Sequence, residues 1–197
     1  MNARLIAMLA AAVVAIQIAG SSAPRGQGLG INPFGTYYAN VARAAKQNDA
    51  GLVRSLLANG SPPDQTDEQN RTAMHYAAIS GNLQIIAILI KGGAKLDPKE
   101  KLGNTPLHLA ADLNQVEAVK LLLDAGAAVD PENKNGMTPL MVAANRGNVE
   151  VVQALLAKGA SVTKTDYTGR DAAGWAAESH RPAVVQAIKR AQSAKKS

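Results

Sequence analysis

NTPLHLAA, residues 104–111, has a near copy on each side, RTAMHYAA at 71–78 and MTPLMVAA at 137–144, each 33 residues away with no gap. Elementary helix chemistry explains the recurring letters. Thr105 suits an N-cap, where its hydroxyl accepts a backbone N–H that the first turn leaves free. Pro106 then falls at the first helical position, where its missing N–H costs nothing. Leu107, Ala110 and Ala111 share one side of the short helix that follows, and the small alanine pair lets a neighbouring segment approach closely. Asn114 stands in a turn, in register with Gly81 and Gly147 of the copies. Val116, Val119, Leu122 and Leu123 recur at helical spacing on a second helix. Gly126 ends that helix, in register with Gly60, Gly93 and Gly159, and a left-handed residue is expected there. The remainder, AAVDPENKN (127–135), is polar and rich in turn formers, so a projecting loop or hairpin is expected.

The frame contains three clear units, 71–103, 104–136 and 137–169. Run backward it fits 38–70, through RAAKQNDAGLVRSLLANG; run forward it fits 170–197, through GWAAESHRPAVVQAIKRA. Two helices of about eight and ten residues cannot bury both apolar faces alone. Stacked units can, and they share a thin core with contacts only between neighbours. The expected fold class is therefore all-α, a solenoid of about five stacked helix pairs whose connecting segments project as loops or, as the resemblance given below implies, short β-hairpins. Pro182 restarts a terminal helix whose outer positions, Gln186, Lys189 and Arg190, suit a face that meets water.

Composition excludes several chemistries. Aromatics are only 3% of the chain, so Ala, Leu, Val and Ile must fill the interior. There is no Cys, which rules out disulfides, zinc-thiolate sites and Cys nucleophiles. The net charge of +6 alternates in sign from unit to unit, with its excess in 170–197. No continuous basic stripe follows a phosphate backbone, and few rings are available to stack on bases, so no nucleic-acid partner is expected. No phosphate-binding GxxxxGK[ST] loop occurs either.

The chain opens with Arg4, an unbroken apolar run at 5–16, and small residues at 19–23. This is the layout of a secretory signal peptide. We expect residues 1–22 to be a leader and 23–37, with four Gly and two Pro at 24–36, a flexible linker. As a helix, residues 5–20 reach about 24 Å, short of the ~30 Å hydrocarbon core. Export to the periplasm or beyond, with no membrane contact once the leader is removed, is the expectation; an uncleaved anchor facing the periplasm is the alternative.

The 33-residue period, TPLHLAA and the helix end LLLDAGA with its following loop resemble the ankyrin repeat, over residues 38–197. A leader ahead of a short array is similar to exported bacterial ankyrin-repeat proteins. The resemblance implies projecting hairpin fingers and a concave face, formed by fingers and first helices, that binds other proteins without catalysis. It also implies that His75 and His108 hydrogen-bond within the cap and to the neighbouring loop. Thr105 beside His108 matches a nucleophile–base pair only superficially, because an N-cap Thr is committed to the backbone. No catalytic residue, metal ligand or cofactor is therefore expected. The departures are Ala73 for Pro, Met141 for His, and Asp171, Ala172 and Gly174 in the last unit. Asn70 replaces the loop Gly, which it can do because Asn tolerates positive φ.

Positions that fix the fold repeat, whereas positions free to face a partner vary. The candidate protein-binding residues are Arg71, Ile79, Lys101, Leu102, Asp112, Leu113, Lys134, Met137, Arg146, Tyr167 and Arg170. Ile79, Leu102, Met137 and Tyr167 are expected to be exposed apolar anchors. The charged residues Asp64, Asp67, Glu68, Lys99 and Glu100 read as solvated loop tips. One protein partner, of unknown identity, and a monomeric chain are expected. A membrane-anchored structural tether, or an accessory or inhibitor of an exported enzyme, is the alternative.

Overall fold

Each copy of the motif folds as a pair of short helices. The computed structural model describes residues 40–194; the expected leader and linker lie outside them, as do residues 38–39 and 195–197 of the end units. Within the described residues the pairs are α1 (Val41–Lys46) and α2 (Ala50–Ala58), α3 (Ala73–Ser80) and α4 (Leu83–Lys91), α5 (Pro106–Asp112) and α6 (Val116–Asp124), α7 (Pro139–Arg146) and α8 (Val149–Ala157), and α9 (Ala172–Glu178) and α10 (Pro182–Ala194).

Starts and stops follow local chemistry. Thr72, Thr105 and Thr138 each form a capping box with the residue three places on. Asn40 and Asp171 replace Thr in the end units, and their side chains accept the N–H of Arg43 and Gly174 at 2.6 and 2.7 Å. The turn inside each pair requires a left-handed residue, supplied in order by Asn48, Gly81, Asn114, Gly147 and His180. Gly126, φ 96°, closes α6 as expected.

The odd-numbered helices pack in sequence on one another to form one layer, and the even-numbered helices form the second. Alanine pairs make the first layer close: Ala44 and Ala45, Ala77 and Ala78, Ala110 and Ala111, and Ala143 and Ala144 are all buried. Ala177, at the end of the described array, is exposed. The second layer buries Val53, Ile86, Leu89, Val119, Leu122, Val152, Leu155, Val184 and Ile188. Each large aliphatic side chain removed from water contributes about 1.5–3 kcal/mol, which a lone helix pair could not collect.

The loops correct one expectation. No strand occurs among the described residues. Each finger is a tight turn closed by two backbone bonds, such as Glu100 N–H to Asn104 O at 3.0 Å and Gly103 N–H to Glu100 O at 2.8 Å. It touches the finger before it through one more, and a turn with one such cross-link is too short to propagate a ladder.

Candidate functional site

The fingers begin with a side chain that ties its own backbone. Asp67 accepts the N–H groups of Gln69 and Arg71 at 2.8 and 2.9 Å. Asn133 does the same for Asn135 and Met137, and Asp166 for Thr168 and Arg170. Glu100 accepts the backbone and side-chain N–H groups of Asn104. Glu100, Asn133 and Asp166 are buried. Asp67 and Glu100 are thus structural, not solvated tips as the sequence suggested. At the two end fingers an aromatic donor completes the tie: Tyr76 Oη–H bonds to Asp67, and Trp175 Nε1–H to Asp166 at 3.1 Å. Burial pulls the Asp67 and Asp166 carboxyls upward, but these hydrogen bonds together hold both below the ordinary carboxylate value.

The tips are linked into a row. Lys101 N–H donates to Gln69 O, Lys134 N–H to Leu102 O, and Tyr167 N–H to Asn135 O, at 3.0, 3.0 and 3.2 Å. On this row Leu102 is 65% and Tyr167 75% exposed. The Tyr167 ring lies against Gly136, where an added Cβ would fall 2.7 Å from ring carbon Cδ1.

Behind the tips, the histidines join finger to helix. His108 Nδ1 accepts Thr105 N–H at 3.1 Å, with Thr105 Oγ1 also 3.0 Å away, and Nε2–H donates to Met137 O at 2.9 Å in the next unit. His75 repeats this with Thr72 and Asn104 O. The carbonyl partner makes Nε2 the protonated nitrogen, so both rings are neutral. Burial holds both below the ordinary value, His108 at about 4. Thr105 and His108 are buried, and both nitrogens are committed, so the pair offers no nucleophile to a substrate. In the next unit Met141 Sδ takes Thr138 N–H at 3.5 Å and nothing crosses to Arg170 O from that side chain.

The structure separates the candidate residues by what they already touch. Lys101, Leu102, Lys134 and Tyr167 are exposed tips, and Leu113 is 48% exposed at the far end of α5. Ile79 and Met137 are half-buried against the core, not exposed anchors, and their carbonyls accept from Gln115 and His108. Asp112 and Arg146 pair with each other at 2.6 Å. Arg170 pairs with Glu178 at 2.7 Å and its guanidinium stands 5.0 Å from the Trp175 ring. Arg71 is half-buried beside Asp67.

Sequence reasoning missed two sets of ties between units. Asp64, Asp97 and Asp130 lie 33 residues apart, and each accepts a backbone N–H of the next unit, from Lys95, Ala128 and Ser161 at about 3 Å. Gln115 and Asn148 reach back to Ile79 O and Ala111 O at 3.1 and 2.7 Å. The signal was available for the aspartates, since Asp recurs at the repeat period.

The family description Ankyrin repeats (3 copies) matches residues 41–133 and again 125–196. A search of the curated proteins finds no match. Such repeats are typically protein-binding and usually non-catalytic, in keeping with a face whose buried acids and histidines are spent on its own loops. Helix pairs stacked in two layers, fingers joined tip to tip and this match over most of the sequence place the chain in the ankyrin-repeat family.

Proposed function

We propose that this chain is an exported, monomeric protein-binding module that holds one protein partner along its fingertips and first-helix face. The observation that carries the reading is the contrast on that face. Its repeated polar side chains are used to hold loops and junctions, while Leu102 and Tyr167 stand in water on tips joined by backbone bonds. Single exposed apolar groups are ordinary; two on one hydrogen-bonded row form anchors that lose little freedom on binding. Export rests on the Arg4, apolar and small-residue pattern of residues 1–22.

The test is a pull-down from the native envelope fraction, identified by mass spectrometry, repeated with Leu102→Glu plus Tyr167→Ala. Capture is expected to vanish while the melting temperature stays unchanged, because neither side chain is part of the core. Capture that survives the double substitution refutes the face. N-terminal sequencing of the purified protein tests export: a start near Ser21 or Ala23 is expected, and an intact Met1 refutes cleavage.

A further inference from the structure

The charges on the finger side are used unequally. Asp67, Glu100 and Asp166 turn inward to hold their loops. Asp112 is held by Arg146, and Glu178 by Arg170. Among residues 67–71, 100–104, 133–137 and 166–170 Glu68 alone carries an exposed carboxylate; earlier in the loops, exposed Asp97 accepts the Ala128 N–H and Glu132 pairs with Lys164. The tip cations are unspent: Lys101 and Lys134 are exposed on successive fingers, and neither ammonium has an ion-pair or hydrogen-bond partner among the described residues. They interleave with the apolar tips. Lys101 precedes Leu102, and Lys134 lies two places before Gly136, which carries the Tyr167 ring.

We infer that the fingertip row takes an extended acidic segment of a protein partner, whose carboxylates meet Lys101 and Lys134 and whose apolar side chains seat on Leu102 and Tyr167. This rests on the binding face proposed above and adds the chemistry of its occupant. Packed helices stand ~8–10 Å apart, so two units separate Leu102 from Tyr167 by roughly 16–20 Å. An extended chain rises ~3.3 Å per residue. The segment therefore places its apolar residues about five or six positions apart, with Asp or Glu between them and just before the first. A nucleic acid fits less well, because Tyr167 is the one ring on the row and Leu102 offers no stacking face.

The experiment is selection of a random twelve-residue peptide display library on the full chain, followed by solution binding of the enriched peptides. They are expected to carry an excess of Asp and Glu flanked by apolar residues. Lys101→Glu with Lys134→Glu is expected to weaken them on the order of tenfold or more, and Lys101→Gln with Lys134→Gln by less. Raising salt from about 0.05 to about 0.5 M weakens them too, since exposed charges are screened. Peptides without acidic excess that are still lost on Leu102→Glu plus Tyr167→Ala overturn the acidic occupant and leave the face standing. Peptides indifferent to all four positions overturn both. A library that enriches nothing, or an oligothymidylate that binds more tightly than the peptides through the same lysines, also overturns the inference.

Discussion

Gly126 and Gly136 have nearly the same left-handed backbone, φ 96° and 77°, but different neighbours. An added Cβ at Gly126 meets open space, whereas at Gly136 it falls 2.9 Å from Tyr167 N and 2.7 Å from its ring. Gly126→Ala is therefore expected to cost about 1 kcal/mol from backbone strain alone, and Gly126→Val more. Gly136→Ala is expected to cost clearly more than Gly126→Ala, because the fingertip must also shift; urea denaturation of both variants checks the order. His108 sets a pH dependence. Its folded value of about 4 lies below the unfolded 6.5. Below pH 6.5 the unfolded chain takes up a proton that the folded chain refuses, so stability is full above 6.5 and falls as pH drops toward 4. The loss is on the order of 3 kcal/mol, with His75 adding in the same direction. The lowered Asp67 and Asp166 carboxyls act later, below about pH 4. Denaturation series at pH 7 and 4.5 are expected to show this slope, flattened in His108→Gln. At this scale the sequence was legible where one atom does one job, as at Thr138, Asn114 and Gly126. It was opaque where an acid serves its own backbone, because Glu100 and a solvated glutamate look alike in a string of letters.

Helices were the easiest elements to read. Apolar residues at helical spacing, bounded by Thr-Pro and Gly, predict α5 and α6 within a residue or two. The fingers were harder, because their geometry depends on bonds between segments about 31 residues apart. Asp130 shows what such a bond does. Both its carboxylate oxygens accept the Ser161 N–H, at 3.1 and 3.0 Å, at the start of the next loop. Asp130→Ala is expected to destabilise by about 1–2 kcal/mol and to speed exchange of the Ser161 amide hydrogen beyond its neighbours. Equal acceleration throughout α7 and α8 would mean that the carboxylate supports the whole unit, not this joint. The exposure of Ile79 and Met137 was misjudged for a related reason. Their register faces a partner, but both side chains pack against the buried core.

Across the whole array, substantial contacts run only between adjacent helices and adjacent pairs, so each junction contributes its own share of stability. Two junctions carry a histidine bridge and the next, at Met141, does not. Arg170 O accepts the Asp166 N–H alone, whereas Met137 O accepts both Asn133 N–H and the His108 ring. Met141→His is expected to add a bond across that junction and to stabilise by about 1 kcal/mol at pH 8. Hydrogen exchange in α9 and α10 is expected to slow more than in α3 and α4. The stacked architecture was legible because a repeat declares itself along the chain; the partner was not, since the tips vary by design and their free charges show only once the bound ones are known. Fingertips coupled one to the next by lone backbone bonds have a mechanical corollary. Tension applied between the two ends of the described array passes from unit to unit through these couplings and the helix layers beside them, so the units are loaded in series and are expected to give way in steps, one unit per step.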